Sequence, residues 1–282
     1  MGKLIWLASF PKSGNTWLRV FLLNLLRNPA TPTDINNLTK LTAVDGLADW
    51  YRHVDPRPPT ELNLEEVAKL RPRVHQFMTT IFPDNVFVKT HSALMSDFGV
   101  PLITLEVTAG AIYVIRNPLD VAVSYSHHLA KSIDATIALM GRKGARTENI
   151  EGWVSEVIGS WSENVETWTA RPHPTLHVVR YEDMKAETLK TFGGIARFLG
   201  LEPPRDRLER ALRLSSFKVL QEQERRHGFV EKSKVAERFF RAGEVGQWRT
   251  ALSVDQVERI VADHGAQMAR YGYLPTDRGG TP

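Results

Sequence analysis

No cysteine occurs anywhere in the sequence. That excludes disulfides, thiolate metal sites, iron–sulfur clusters and a cysteine nucleophile. Long apolar runs are missing as well. None approaches the ~18 uninterrupted apolar residues that a membrane span requires, and the most apolar helical stretch, 18–26, is broken by Arg19 and Asn24. A strong excess of one charge is also lacking. The 36 Lys and Arg against 32 Asp and Glu leave +4, with no dense basic block, so a nucleic-acid-binding stripe is not expected. A signal peptide or anchor has no room before Leu4, and Trp6 stands where myristoylation wants Ser or Thr. The expectation is a cytoplasmic protein with neither a nucleic-acid nor a membrane partner.

What is present is globular. Over 282 residues, 42% of the side chains are hydrophobic and 24% charged, which rules out wholesale disorder. A chain of this length buries roughly 75% of the surface its unfolded form exposes. No composition shift marks a boundary, so one domain is expected over 1–282, with a frayed polar tail at 275–282. The apolar run 4–9 stops at the turn-forming Pro11-Lys12-Ser13-Gly14. From Thr16 onward, Trp17, Val20, Phe21, Asn24 and Leu25 have helical spacing. The grammar repeats. Runs 85–89 and 110–115 are strand-like, the second followed by Arg116-Asn117-Pro118 and a helix over 120–129. Run 175–180 is followed by Tyr181-Glu182-Asp183 and a helix over 186–199. Alternation of this kind predicts an α/β domain whose central parallel sheet is flanked by helices, with a P-loop-like strand–loop–helix nucleotide site. Ligands in such sheets sit at the carboxyl ends of the strands, where these polar clusters lie. Helices are also predicted over 206–214 and 255–271. Segments 28–73 and 131–149 read as irregular insertions, and 221–246 as a long functional loop.

Three clusters carry chemistry. The loop FPKSGNTW (10–17) leads into a helix N-terminus, where free N–H groups and the helix dipole favour an anion. Gly14 permits close approach, Lys12 adds a charge, and Ser13 and Thr16 add hydroxyls. Lys12 precedes the only glycine, so this is not a Walker A motif. A capped helix start with a surface lysine is the plain alternative. In Val88-Lys89-Thr90-His91 a strand end delivers a cation and an imidazole at i and i+2, suited to charge stabilisation and proton abstraction. A lone histidine at such a place is more often structural. Arg116 ends a strand and can grip a phosphate by its fork, with Ser124 two helical turns on. An exposed arginine and a satisfied helix serine are the alternatives there.

Taken together, these residues resemble a known family, the sulfotransferases that use 3′-phosphoadenosine 5′-phosphosulfate (PAPS), especially the cytosolic type. PKSGNTW resembles that family's phosphosulfate loop PKSGTTW, with Asn15 the departure. VIRNPLDVAVSY resembles its 3′-phosphate-binding strand and helix. KTH, RYEDMK and RAGEVGQW resemble further signatures, in the same order along nearly the whole chain. The resemblance implies that Lys12, Ser13, Gly14, Asn15 and Thr16 bind the 5′-phosphosulfate and that Trp17 stacks on adenine. It implies Arg116, Ser124, Arg241, Ala242 and Gly243 at the 3′-phosphate, and Tyr181, Ser215 and Phe217 at the nucleoside. Lys89 lies beside the transferring sulfuryl group with Lys12, and His91 is the general base. The donor leaves as adenosine 3′,5′-bisphosphate (PAP), and no metal is required.

Elementary chemistry agrees with those roles. Sulfuryl transfer, like phosphoryl transfer, asks the protein mainly for alignment and charge neutralisation. Ala242 and Gln247 depart from the family's RKGxxGDWK, removing a cation and an acid, which touches donor affinity. Segment 249–258 loosely resembles the family's short dimerisation segment, so a homodimer is expected; an ordinary helix start capped by Ser253 reads as well. No ligand spacing links the histidines, and the adjacent His127 and His128 make a poor metal pair. Glu182-Asp183 reads as a cap of the next helix. The acceptor is a small molecule presenting a hydroxyl, with an amine second, and phenolic or otherwise apolar. Its walls are expected from 28–73, 131–149 and 221–240, with Trp50, Tyr51, Phe77, Phe82 and Phe229 as apolar candidates. Two other readings stand beside this one. A nucleotide-dependent kinase would need magnesium carboxylates and a conventional P-loop. A non-catalytic adenosine bisphosphate binder would keep the loops and make His91 dispensable.

Overall fold

Leu4–Ser9 (β1) and Thr108–Ile115 (β4) are apolar on both faces. A strand of that kind is stable only when covered on both sides. The computed structural model describes residues 2–275; Met1 and 276–282, hence most of the expected tail, lie outside the described residues. It pairs β1 in parallel with β4 on one side and with Val86–Thr90 (β3) on the other. Thr42–Val44 (β2) adds to β3, and Leu176–Arg180 (β5) adds to β4. The sheet order is β2-β3-β1-β4-β5, all parallel.

The period of two along the strands sorts their side chains into two cores. Leu4, Trp6, Ala8, Val86, Val88, Ala111, Tyr113 and Ile115 face one cluster. It is filled by the helices Leu64–Met78, Pro118–Leu129, Trp161–Thr169 and Val254–Arg270. Leu7, Ile112, Val114 and Val179 face the other cluster, with Asn15–Arg27 (α1) and Thr188–Phe198. Helices therefore cover both faces. The chain runs from β1 to β2 and β3 on one side of it and then crosses to β4 and β5 on the other, and the carboxyl ends of β3, β1 and β4 meet at that reversal, the place where such sheets bind ligands. Among the described residues, no helix is long and apolar enough to cross a membrane.

Regular structure exceeds the sequence expectation in several places. Within 28–73 a helix starts at Leu64, closed by an Asn63/Glu66 capping box. Its pattern is obscured because Arg71 and His75 point inward and Pro72 lies inside. Within 131–149 lies Ile133–Gly141, capped by Ser132. The first seven residues of the expected 221–246 loop are helical, as the end of Phe217–His227, a helix in which only Leu220 is buried and which therefore shows little apolar periodicity. The helix expected over 186–199 is observed as Thr188–Phe198, and a separate short helix, Tyr181–Ala186, precedes it, set apart by Glu187, whose φ −123° and ψ 46° are not helical.

Candidate functional site

The loop after β1 begins with strain. Lys12 has φ 64° and Gly14 φ 109°, the left-handed region that a lysine enters only at a cost. A Cβ on Gly14 would stand 2.7 Å from the Tyr181 ring, so only glycine fits. The two inverted residues aim the backbone of 13–16 and the start of α1 into a cavity of about 350 Å³. Burial, then the charges of Arg116 and Lys89, push the Lys12 amine down to about 7. It rests 3.7 Å above the Phe239 ring.

The expected site residues line this one cavity, with the exceptions of Ser13 and Ser215. Ser13 is fully buried and its hydroxyl has no partner, so it offers the cavity its place at the helix start rather than its side chain. Ser215 is also fully buried and bonds back to the carbonyls of Ala211 and Leu212. Its hydroxyl completes the last turn of Arg205–Leu214 and does not reach the expected nucleoside site. Asn15 lines the cavity, yet its amide turns back to donate to the Leu7 carbonyl at 2.7 Å, tying the helix start to β1.

Arg116 lies 4.3 Å from the Tyr181 ring centre and donates to the carbonyls of Lys12 at 3.0 Å and Glu244 at 2.8 Å. The Tyr181 hydroxyl donates to the Gly243 carbonyl at 3.0 Å. Trp17 packs edge-on against Tyr181 and Phe192. Arg241 is exposed and bonds Gln247, so the residue replacing the family's acid still engages the arginine of its own loop. That loop is fixed from beneath. Asp120 accepts from the N–H groups of Gly246 at 2.7 Å and Trp248 at 3.1 Å. Glu182 does not cap the next helix, Thr188–Phe198, which follows Glu187 with no side-chain cap. It accepts from Asn117 N–H and the Tyr273 hydroxyl, joining the ends of β4 and β5.

His91 sits where β3 ends. Its Nδ1 lies 2.7 Å from the Ser9 carbonyl. A carbonyl only accepts, so Nδ1 carries the proton and Nε2 keeps its lone pair. Burial, then the neighbouring Lys89 charge, push the ring's pKa down to about 3. Asn164 donates to the His91 carbonyl at 2.9 Å and accepts from the Tyr113 hydroxyl at 2.8 Å, which fixes the strand end. The arrangement is a neutral imidazole beside an ammonium, at the edge of a cationic, glycine-lined cradle.

Sequence reasoning missed several cavity residues. Glu231 faces Lys89, and Glu156 brings a carboxyl that burial and Asp45 raise to about 7. Neither stands in a periodic segment. Arg19 gave a signal: an arginine inside an apolar helical stretch needs a buried counter-charge. The expected acceptor walls need correction. Tyr51 and Phe229 are buried in the cores, Phe82 is exposed, and Trp50 and Phe77 lie away from the cavity. The observed walls include Tyr125, Leu129, Ile158, Phe239 and Phe240, with only Thr147 contributed by 131–149 and none by 28–73.

The residues fit an adenosine bisphosphate group on structural grounds. Trp17 Nε1 and Arg116 Nε are buried donors without a protein partner, and Gly14 and Gly243 let the rings of Tyr181 and Phe217, two of the cavity walls, lie closer to the loop backbone than a Cβ would allow. Among the described residues, no group of three or more His, Asp or Glu is placed to hold a metal ion.

Comparison with known proteins bears on the same region. Rat sulfotransferase 2A6 is 28% identical over 280 residues, covering 96% of this chain and 87% of that protein. Dog sulfotransferase 1A1 is 25% identical over 278 residues, covering 94% and 83%. Mouse sulfotransferase SULT7A1 complexed with PAP superposes with a TM-score of 0.61 at 19% identity, covering 97% of this chain and 90% of that one. Retinol dehydratase in complex with androsterone and the inactive cofactor PAP gives 0.64 at 18%, covering 94% and 80%. These two likenesses establish the fold. The sulfotransferase domain model itself matches residues 3–272, from β1 past the last helix, and with that extent the chain belongs to the sulfotransferase family.

Proposed function

We propose that the protein transfers the sulfuryl group of PAPS to a hydroxyl of a small, apolar or phenolic acceptor. The observation that carries this reading is the shared cavity: Lys12 and Arg116, 104 positions apart, are bonded to each other and line the same cleft. Two anionic ends of one nucleotide need such a pair of cationic ends. The donor supplies an activated sulfur whose bond to the 5′-phosphate breaks as the acceptor oxygen bonds to it. Lys12 and the N–H groups of 13–16 hold the 5′ end and neutralise the departing phosphate. Arg116 and Ser124 hold the 3′-phosphate, and Trp17 and Phe217 flank the adenine. Lys89 faces the sulfuryl oxygens. His91 Nε2 takes the acceptor's proton.

Tyr125, Leu129, Ile158 and Phe239 support an apolar acceptor. Retinol dehydratase binds androsterone and retinol, two apolar alcohols, in structures of the same fold. The reading includes a cytoplasmic protein and a homodimer joined through 249–258, where Val254 is exposed at the start of the last helix. Light scattering in solution tests the dimer, and a monomer mass removes it.

The deciding experiment is transfer of labelled sulfate from PAPS to a panel of phenols and aliphatic alcohols, with EDTA present. Transfer together with PAP binding in titration calorimetry is the expected result. Binding that strictly prefers magnesium ATP would favour the kinase, and PAP binding without transfer to any acceptor would favour the non-catalytic binder.

A further inference from the structure

Arg19 has no exposed side-chain surface, although it is an arginine in the middle of an apolar helix. Its Nε donates to Thr42 Oγ1 at 2.9 Å. Its Nη1 donates to Glu231 Oε2 at 2.8 Å, and Nη2 lies 2.8 Å from Oε1. Glu231 comes from the irregular segment after Phe217–His227, 212 positions away. The same Oε2 accepts from Lys89 Nζ at 3.1 Å. Lys89 and Glu231 side chains are only 15% and 13% exposed, so this three-residue cluster is largely withdrawn from water. Burial alone would raise the Glu231 carboxyl, but Lys89 and Arg19 more than reverse it and hold it well below the usual carboxylate range.

The sheet register explains the meeting. Thr42 pairs with Phe87, and Val44 with Lys89; residues two apart on β3 share a face. Leu7, opposite Lys89 on β1, packs in the cluster that α1 covers. Arg19 and Lys89 therefore converge from helix and strand on one side of the sheet. Without a counter-charge they would repel there. Two cations and one carboxylate leave one net positive charge, and the ammonium spends one of its three N–H donors on Glu231.

We propose that Glu231, fixed by Arg19, is the positioning residue of Lys89. It holds the ammonium so that its remaining donors face the sulfuryl oxygens, and makes the covering segment a structural part of the reaction centre. This rests on the sulfotransferase reading above. Glu231 touches neither donor nor acceptor in this role; it acts through Lys89.

Removing Glu231 alone strands a buried guanidinium, so the main test is the paired variant Arg19→Met/Glu231→Met, with Glu231→Gln as the milder one. In both, kcat for sulfate transfer should fall, by roughly ten- to hundredfold in the paired variant. The PAP dissociation constant and the KM for PAPS should stay within about threefold of wild type. In a Lys89→Met background the same substitutions should cause no further loss of kcat, which a merely structural role would not produce. Retained kcat in either variant overturns the proposal, as do additive losses in the Lys89→Met background or parallel loss of PAP affinity. A wild-type protein that binds no PAP overturns the donor-site reading and this proposal with it. Where wild type binds PAP and turns over, those failures remove the positioning role alone.

Discussion

The Arg116 guanidinium donates to the carbonyl of Lys12 at 3.0 Å. Through this bond the end of β4 is stitched to the loop after β1. The second bond, to the Glu244 carbonyl, brings in the late 241–248 segment. Three pieces of chain far apart in sequence are thus held by one planar, always-charged group, whose Nε is still without a partner.

Arg116→Lys keeps the charge and loses the fork. Hydrogen bonds to a charged group are worth about 1.5–3 kcal/mol, so PAP should bind roughly ten- to hundredfold more weakly. Adenosine 5′-monophosphate, lacking the 3′-phosphate, should lose less. Calorimetry on both nucleotides checks this. An unchanged ratio of the two affinities would mean that Arg116 only braces the loop.

Lys12 predicts a pH dependence of donor binding. Its amine, pushed down to about 7 by burial and then by Arg116 and Lys89, is neutral in much of the donor-free protein above that pH. The bound 5′ end favours the charged form. Binding above pH 7 must therefore take up a proton, and PAP affinity should fall as pH rises, approaching roughly tenfold per unit. The phosphates are already ionised in that range, so their titration does not produce this slope. Calorimetry in buffers of different ionisation enthalpy should show the proton uptake at pH 8. Lys12→Met should abolish both the slope and most of the affinity. Affinity that is flat from pH 6 to 9 would contradict this.

Much of this architecture is legible in the sequence because the central strands are apolar runs ended by polar turns. Leu4–Ser9 and the cluster at Lys12–Gly14 need no long-range information, and neither does the strand leading to Arg116. Segment 64–78 hides its helix because Arg71 and His75 face inward, where the helical pattern leads one to expect apolar residues. His75 is buried against Asp45 and Thr104, contacts that only the folded chain supplies. Glu231 is the clearest loss. It sits in a charged stretch without period, and its meaning comes from Arg19 and Lys89, 212 and 142 positions away. Ser215 fails in the other direction: the resemblance that put it at the nucleoside says nothing about where the hydroxyl turns, and the carbonyls of its own helix take it.

Gly243 should tolerate no side chain. It adopts φ 62°, and an added Cβ would stand 2.4 Å from the Phe217 ring. Gly243→Ala must move that ring or the loop, at a strain cost of about 1–3 kcal/mol. PAP affinity should drop by roughly tenfold or more, with a modest fall in Tm. Gly200→Ala provides the comparison: φ is 70° there, nothing lies within 4 Å of the added carbon, and the residue is not in the cavity wall. It should lower Tm and leave PAP binding unchanged. Equal effects of the two substitutions on PAP binding would remove Gly243 from the donor site.

His91 is set up to receive a proton at one nitrogen. Its bond to the Ser9 carbonyl assigns the hydrogen to Nδ1 and leaves the lone pair on Nε2. With its pKa pushed down to about 3, first by burial and then by Lys89, the ring stays neutral far below the usual histidine value. A base so shifted is lost only when pH falls through its own pKa. The acid fall of kcat/KM due to this group therefore belongs near pH 3, not near 6.5. Between pH 7 and 5 its ionisation should leave the rate untouched. His91→Ala should lower kcat by about 10²–10⁴ while PAP still binds. The His91→Ala variant should keep the wild-type Tm more nearly than Asn164→Ala, because Asn164 holds the backbone of both His91 and Ile158. Undiminished turnover in His91→Ala would leave the imidazole without a catalytic part, and a rate falling with a pKa near 6.5 would show that burial does not set its charge.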